Sequence, residues 1–220
     1  MRRVVVTGMG SISALGHDAP ACWNAMREGR SGIAAIAAVD PGLLKAQIAA
    51  EVRDFDPLRH FDEKRLVQLD RVSQFALVAA REAIVQSGID FRADGLGAAT
   101  ACIIGTGVGG QNTVDDASRR LYADNNPRLH PLTIVRQMAN APVSHIGIEF
   151  GLTGPAFAVS SACASANHAM ALAFHMVRAG MADVAVAGGT EASITYGVAR
   201  AWESMRVLAD DTCRPFCRQR

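Results

Sequence analysis

The segment Val159-Ser160-Ser161-Ala162-Cys163-Ala164-Ser165-Ala166 places a thiol at the turn between an apolar strand and a helix, with small residues on both sides. At a helix N-terminus the unpaired backbone N–H groups and the helix dipole favour an anion, so a cysteine there is drawn toward the thiolate. Small neighbours let a carbonyl carbon approach, and the same N–H groups can hold an oxyanion. That is a nucleophile elbow with sulfur in place of a serine hydroxyl. A small cysteine buried in the core has the same residue type, and the segment alone leaves both readings open.

A nucleophilic cysteine usually needs a base. His168 and His175 are near in sequence, but five residues at about 100° each turn His168 to a different helix face, and His175 lies roughly three turns away. Both read as packing or hydrogen-bonded histidines, and His17, His60, His130 and His145 form no ligand spacing. Gly105-Thr106-Gly107-Val108-Gly109-Gly110 matches the glycine pattern of a dinucleotide-binding turn, with Asp124 at about the expected distance. No strand pattern ends at Asp124, and a nicotinamide site is disfavoured. Cys213 and Cys217 form one pair without a second, which is poor grounds for a metal site. No metal or redox cofactor is expected. Cys22 and Cys102 fall within helix and strand patterns and read as core.

The elements that would position these residues alternate. Arg3–Thr7 reads as a short strand, Asp18 as the N-cap of a helix running to Gly29, and 31–62 as irregular surface structure. Apolar positions from Leu66 to Ile84 recur at helical spacing within 63–87, stopping at Gly88. Further strands are expected at 101–105, 156–160 and 184–187, and helices at 111–122, 131–149 and 164–178. Continuous apolar strands alternating with helices give an α/β fold with a mostly parallel sheet covered on both faces.

Composition narrows the class. Half of the 220 residues are hydrophobic and a fifth charged, which excludes a disordered chain. The 22 basic and 21 acidic side chains nearly balance, which argues against a dedicated nucleic-acid or membrane-surface protein. All the basic side chains except Lys45 and Lys64 are arginines. Three apolar residues after Arg3 are too few for a signal-peptide core, and no apolar run of about 18 residues is present. Five cysteines, an odd number, fit reduced thiols. A cytoplasmic location is the expectation.

The chain resembles the β-ketoacyl-[acyl-carrier-protein] synthases, elongating condensing enzymes with the thiolase fold. The likeness runs from Val4–Gly10 through Trp23, Gly29–Gly32, Asp54–Asp56 and Gly105–Gly110. It continues over Phe150–Pro155, Ser161–Ser165, Ala187–Ala192 and Arg214–Phe216. It implies a layered α/β/α fold in which this chain supplies most of the first of two similar halves. It also implies a reaction. Cys163 would take an acyl group from the thioester of acyl carrier protein, and malonyl carrier protein would lose carbon dioxide. The resulting carbanion would extend the chain by two carbons, in fatty-acid or related lipid synthesis.

By the same resemblance Gly107 and Val108 would border the acyl tunnel. Thr133 and Ile134 would reach toward the partner's tunnel across a homodimer. A bulky aromatic is common where Thr133 stands, so a roomier pocket is expected, as in the nodulation synthases. Lys64, Arg65 and Arg206 fall where the family docks its carrier protein, although Gln68 and Leu69 occupy places often basic. These charges fit a solvated face equally well.

The family's histidines, catalytic lysine and phenylalanine gate belong to its second half and have no counterpart in these residues. The 220-residue chain alone is expected to lack condensation activity and to expose a large apolar patch. Two other classes compete. A non-catalytic relative acting as dimer partner or scaffold would typically lack Cys163. An unrelated cysteine acyl hydrolase would need a suitably placed histidine.

Overall fold

The computed structural model describes residues 2–218. In chain order the elements begin with helix α1 (Ala19–Arg27), strands β1 (Ala34–Ala35) and β2 (Ile48–Ala49), and helices α2 (Glu63–Leu66) and α3 (Arg71–Ser87). Strand β3 (Thr100–Gly105) follows, then helices α4 (Gln111–Ser118), α5 (Thr133–Gln137) and α6 (Ala141–Phe150). Strand β4 (Ala156–Val159), helix α7 (Ser165–Ala179), strand β5 (Val184–Gly189) and helix α8 (Tyr196–Ser204) complete the order. They fall into two compact units, one of residues 2–10 and 57–193, the other of residues 11–56 and 194 onward.

The first unit is built on a parallel sheet of order β4-β3-β5. Every residue of β3 is buried, as a central strand covered on both faces must be. Because side chains alternate along a strand, Ala101 and Ile103 pack against Ala169 and Ala173 of α7. Cys102 turns the other way, its Sγ 4.0 Å from the Val143 carbonyl of α6. Alanines at i and i+4 let α7 lie close to the sheet, and Gly180, with φ +77°, ends it in the left-handed conformation that a helix stop favours. The α/β class and the parallel sheet expected from the sequence are present.

Several expected elements differ. Residues 3–7 form no strand, because among the described residues their backbone has no ladder partner, and Val5 and Val6 are exposed. The segment instead runs against α3, so closely that a Cβ on Gly8 or Gly10 would overlap the Ala83 or Ala79 carbonyl.

The single helix expected over 63–87 is two, because Asp70 caps a new start at α3. The 131–149 stretch also breaks, since Pro142 lacks an N–H and is tolerated in the first turn of α6 but not inside a longer helix. Helix α4 stops at Ser118 and passes into a π-helical turn, Arg119–Ala123. Helices α3 and α6 are joined by Arg81, whose guanidinium pairs with Glu149, donates to the His60 carbonyl and lies over the Phe61 ring.

The second unit carries α1, capped by Asp18 as its sequence predicts. The 31–62 stretch is less irregular than expected. Its part in this unit pairs β1 with β2 antiparallel and buries Ile36, Val39 and Leu44 against Ala49, Ile194 and Ala199. Glu51 accepts from the Ala37 and Ala38 amides, and Glu203 from those of Lys45 and Ala46. The Ala46 amide foremost, with Lys45 and Arg200, holds the Glu203 carboxyl below its ordinary value. Helix α8, capped by Thr195, has too short an apolar pattern to be found by periodicity.

Candidate active site

Strands β3, β4 and β5 are parallel, so their C-terminal ends share one edge of the sheet, where open α/β sheets form their sites. Cys163 lies just beyond β4 and two residues before α7, and its side chain is exposed. The turn that carries it is held from within. Ser165, itself buried, accepts from the Ser161 amide at 2.8 Å and donates to the Ala162 carbonyl at 2.6 Å. The Ala164 and Ser165 amides close onto the Ser161 and Ala162 carbonyls. Among the described residues, the hydrogen bonds of the turn leave the Cys163 amide unused. Ala162 is held at φ +50°, a conformation costly for a residue with a Cβ.

Replacing Ser165 with alanine should therefore cost about 1 kcal/mol, because the partly buried Ser161 amide loses its acceptor. Chemical denaturation measures that loss. Thiol alkylation in the same variant should show Cys163 altered in rate and Cys213 not.

The glycine turn after β3 meets the Cys163 turn directly. Ser160 Oγ donates to the Gly107 carbonyl at 3.2 Å, and a Cβ on Gly107 would sit 3.8 Å from the Ala162 carbonyl oxygen. On its other side the turn abuts the end of α5. The Gly110 amide donates to the Gln137 carbonyl, and a Cβ on Gly109 would lie 3.0 Å from Ala139 Cα. Gly109 and Gly110 thus answer to backbone crowding, and Asp124 follows the π-helical turn rather than a strand.

Gly107 and exposed Val108 therefore stand beside the Cys163 turn, and α5, which carries Thr133 and Ile134, packs against the same glycine turn. Thr133 is buried and hydrogen-bonded through both its amide and its hydroxyl to the His130 carbonyl, whereas Ile134 is exposed.

Lys64 is exposed on α2, and Arg65 beside it donates to Gln68 Oε1 at 3.1 Å. Burial, with the Arg65 charge second, holds the His145 imidazole of α6 below its ordinary value of 6.5. The native protein therefore favours neutral His145 more than the unfolded chain does. Stability present above pH 6.5 should drain away as pH falls through the native value. Urea midpoints across this range should slope less in His145→Gln, and equal slopes would count against the assignment. Arg206 follows α8 in the other unit and is exposed at φ +57°.

His168 and His175 are exposed on α7, and among the described residues neither is hydrogen-bonded to Cys163. Cys102 is fully buried, and burial pushes its thiol up to about 12. Cys22 is buried with its Sγ among Ser11 Oγ, Ser13 Oγ and the Gly16 carbonyl, a more polar setting than a core cysteine implies. Among the described residues no three His, Cys, Asp or Glu side chains gather to hold a metal ion. No helix there is long and apolar enough to cross a membrane.

Sequence reasoning assigned no role to Ser160, Ser165 or Glu191. Their signal is positional, small or acidic residues just past strand ends at one sheet edge.

Comparison with known proteins gives consistent results. Nodulation protein E of Rhizobium meliloti (strain 1021) is 42% identical over 215 residues, covering 98% of this chain and 53% of that protein. The 3-oxoacyl-[acyl-carrier-protein] synthase 2 of Staphylococcus aureus (strain N315) is 33% identical over 220 residues, again covering 98% and 53%. The structure of the ishigamide ketosynthase/chain length factor superposes with a TM-score of 0.90 at 30% identity, covering 100% of this chain and 54% of that one. The chain thus spans about half the length of the curated relatives it matches. Residues 1–220 match the family model for the β-ketoacyl synthase N-terminal domain, and the chain belongs to that family of thiolase-like condensing enzymes.

Proposed function

We propose that Cys163 is the acyl-accepting nucleophile of a decarboxylative Claisen condensation, and that this chain is the nucleophile-bearing half of the condensing enzyme. The exposure of Cys163 on a hydrogen-bonded turn at the head of α7 carries the proposal. Its thiolate attacks the carbonyl carbon of an acyl thioester, a C–S bond forms to Cys163, and the C–S bond to the carrier's thiol breaks. The Cys163 amide donates to the oxyanion of the tetrahedral intermediate. A malonyl thioester then loses carbon dioxide, and its carbanion attacks the acyl carbon and expels the Cys163 thiolate.

The groups that assist decarboxylation lie outside these residues. Acyl carrier protein is the proposed donor, in line with a type II polyketide ketosynthase solved in complex with its acyl-carrier protein. Lys64, Arg65 and Arg206 are proposed to meet its acidic surface, and Thr133 and Ile134 to lie at the two-fold of a homodimer.

Incubation with an acyl carrier thioester should add one acyl group at Cys163, located by peptide mass spectrometry, and none in Cys163→Ala. Without malonyl carrier the adduct should persist. An intact chain that takes no acyl group would point instead to a scaffold, a class kept in view by the solved complexes of ketosynthases with chain length factors. Rapid loss of the adduct to water would point to a hydrolase.

The small side chain of Thr133, in place of a bulkier one, is the basis for a roomy pocket beside it. In the condensing enzyme, Thr133→Phe should shorten the accepted acyl chain, with long-chain transfer falling about tenfold or more. An unchanged chain-length profile would remove this assignment.

A further inference from the structure

The geometry points to Glu191 as a positioning residue that fixes the Thr106–Gly109 turn against the Cys163 turn and so sets the wall met by the acyl chain. The assignment rests on Cys163 as acyl acceptor and adds the group that holds its surroundings. Glu191 follows β5, and its Oε2 accepts from the Gly107 amide at 2.7 Å. Its Oε1 accepts from Thr106 Oγ1 at 3.3 Å, and that same buried hydroxyl accepts from the Gly109 amide at 3.0 Å. One carboxylate therefore governs two amides of the turn, Gly107 directly and Gly109 through Thr106.

The Gly107 carbonyl is taken by Ser160 Oγ, three residues before Cys163. Gly107 is thus gripped at both polar ends, by Ser160 just past β4 and by Glu191 just past β5. A Cβ on Gly107 would approach Glu191 Oε2 to 2.9 Å, so the carboxylate also fills the space a side chain would need. The neighbouring Asn112 Nδ2 donates to the Ala192 carbonyl, a second tie between the same two segments. A carboxylate is suited to this place because it can accept at two oxygens at once.

The test compares wild type with Glu191→Ala and Glu191→Gln in two measurements on the intact chain. Amide exchange at Gly107 should quicken about tenfold in E191A and stay within about twofold of wild type in E191Q, whose amide oxygen can still accept. The ratio of acyl transfer from a long-chain to that from a short-chain carrier thioester should shift about threefold or more in E191A and be restored in E191Q. Unchanged exchange at Gly107 would overturn the proposal, as would equal slowing of both thioesters. Should E191A not fold, Glu191→Asp, with its shorter reach, is expected to give the same exchange and ratio shifts. If wild type itself takes no acyl group, the nucleophile assignment fails, and Gly107 exchange still decides whether Glu191 holds the turn.

Discussion

Asp70→Ala should cost about 3 kcal/mol or more of folding stability, because several buried donors would lose their acceptor at once. Asp70 is 1% exposed. Its Oδ1 accepts from the Val72 amide at 3.0 Å and caps α3. Its Oδ2 accepts from both the amide and the hydroxyl of Thr113 on α4, each at 2.7 Å. Hydrogen bonds to a charged acceptor are the stronger kind, and alanine supplies none of them.

For a chain of this size the loss corresponds to a fall of roughly 10 °C in melting temperature. Asp70→Asn keeps an acceptor oxygen and should lose about half as much. Thr113→Val measured with and without Asp70→Ala should give clearly non-additive losses. A melting temperature for Asp70→Ala within a degree or two of wild type would refute the role.

Iodoacetamide at pH 8 should separate the cysteines by about a thousandfold or more in rate. Cys102, with its thiol pushed up to about 12 and no exposed surface, presents a thiolate in only about one molecule in ten thousand at that pH, and it lies in the central strand facing α6. Cys163 and Cys213 are both exposed and should label. Cys213 is the useful control, since exposure alone should make it alkylate, whereas acyl transfer from a carrier thioester should mark Cys163 and leave Cys213 bare. Comparable labelling of Cys102 in the folded protein would contradict the buried placement. Acylation of Cys213 at the rate of Cys163 would show that the Cys163 turn contributes nothing.

The parallel sheet was legible because β3, β4 and β5 are nearly continuous apolar runs, and α7 because Gly180 marks its end. The placement of Cys163 between a strand and a helix was legible for the same reason. What periodicity could not show was where a polar group overrides it. Asp70 and Pro142 each begin a new helix inside a stretch that otherwise keeps helical spacing.

The Val4–Val6 run misled in the opposite direction. Its composition is that of a strand, but a strand exists only through its neighbour's hydrogen bonds, and composition says nothing about neighbours. The network around Glu191 depends on three segments far apart in sequence, so no local pattern could announce it.

Gly105, at the end of β3, has the Ser165 backbone pressed against it, and a single methyl there would collide with the main chain. Anyone redesigning substrate preference therefore has no freedom at this rung of the sheet. If the proposed acyl wall holds, diversity belongs instead at Val108, Thr133 or Ile134, where side chains already exist to be exchanged.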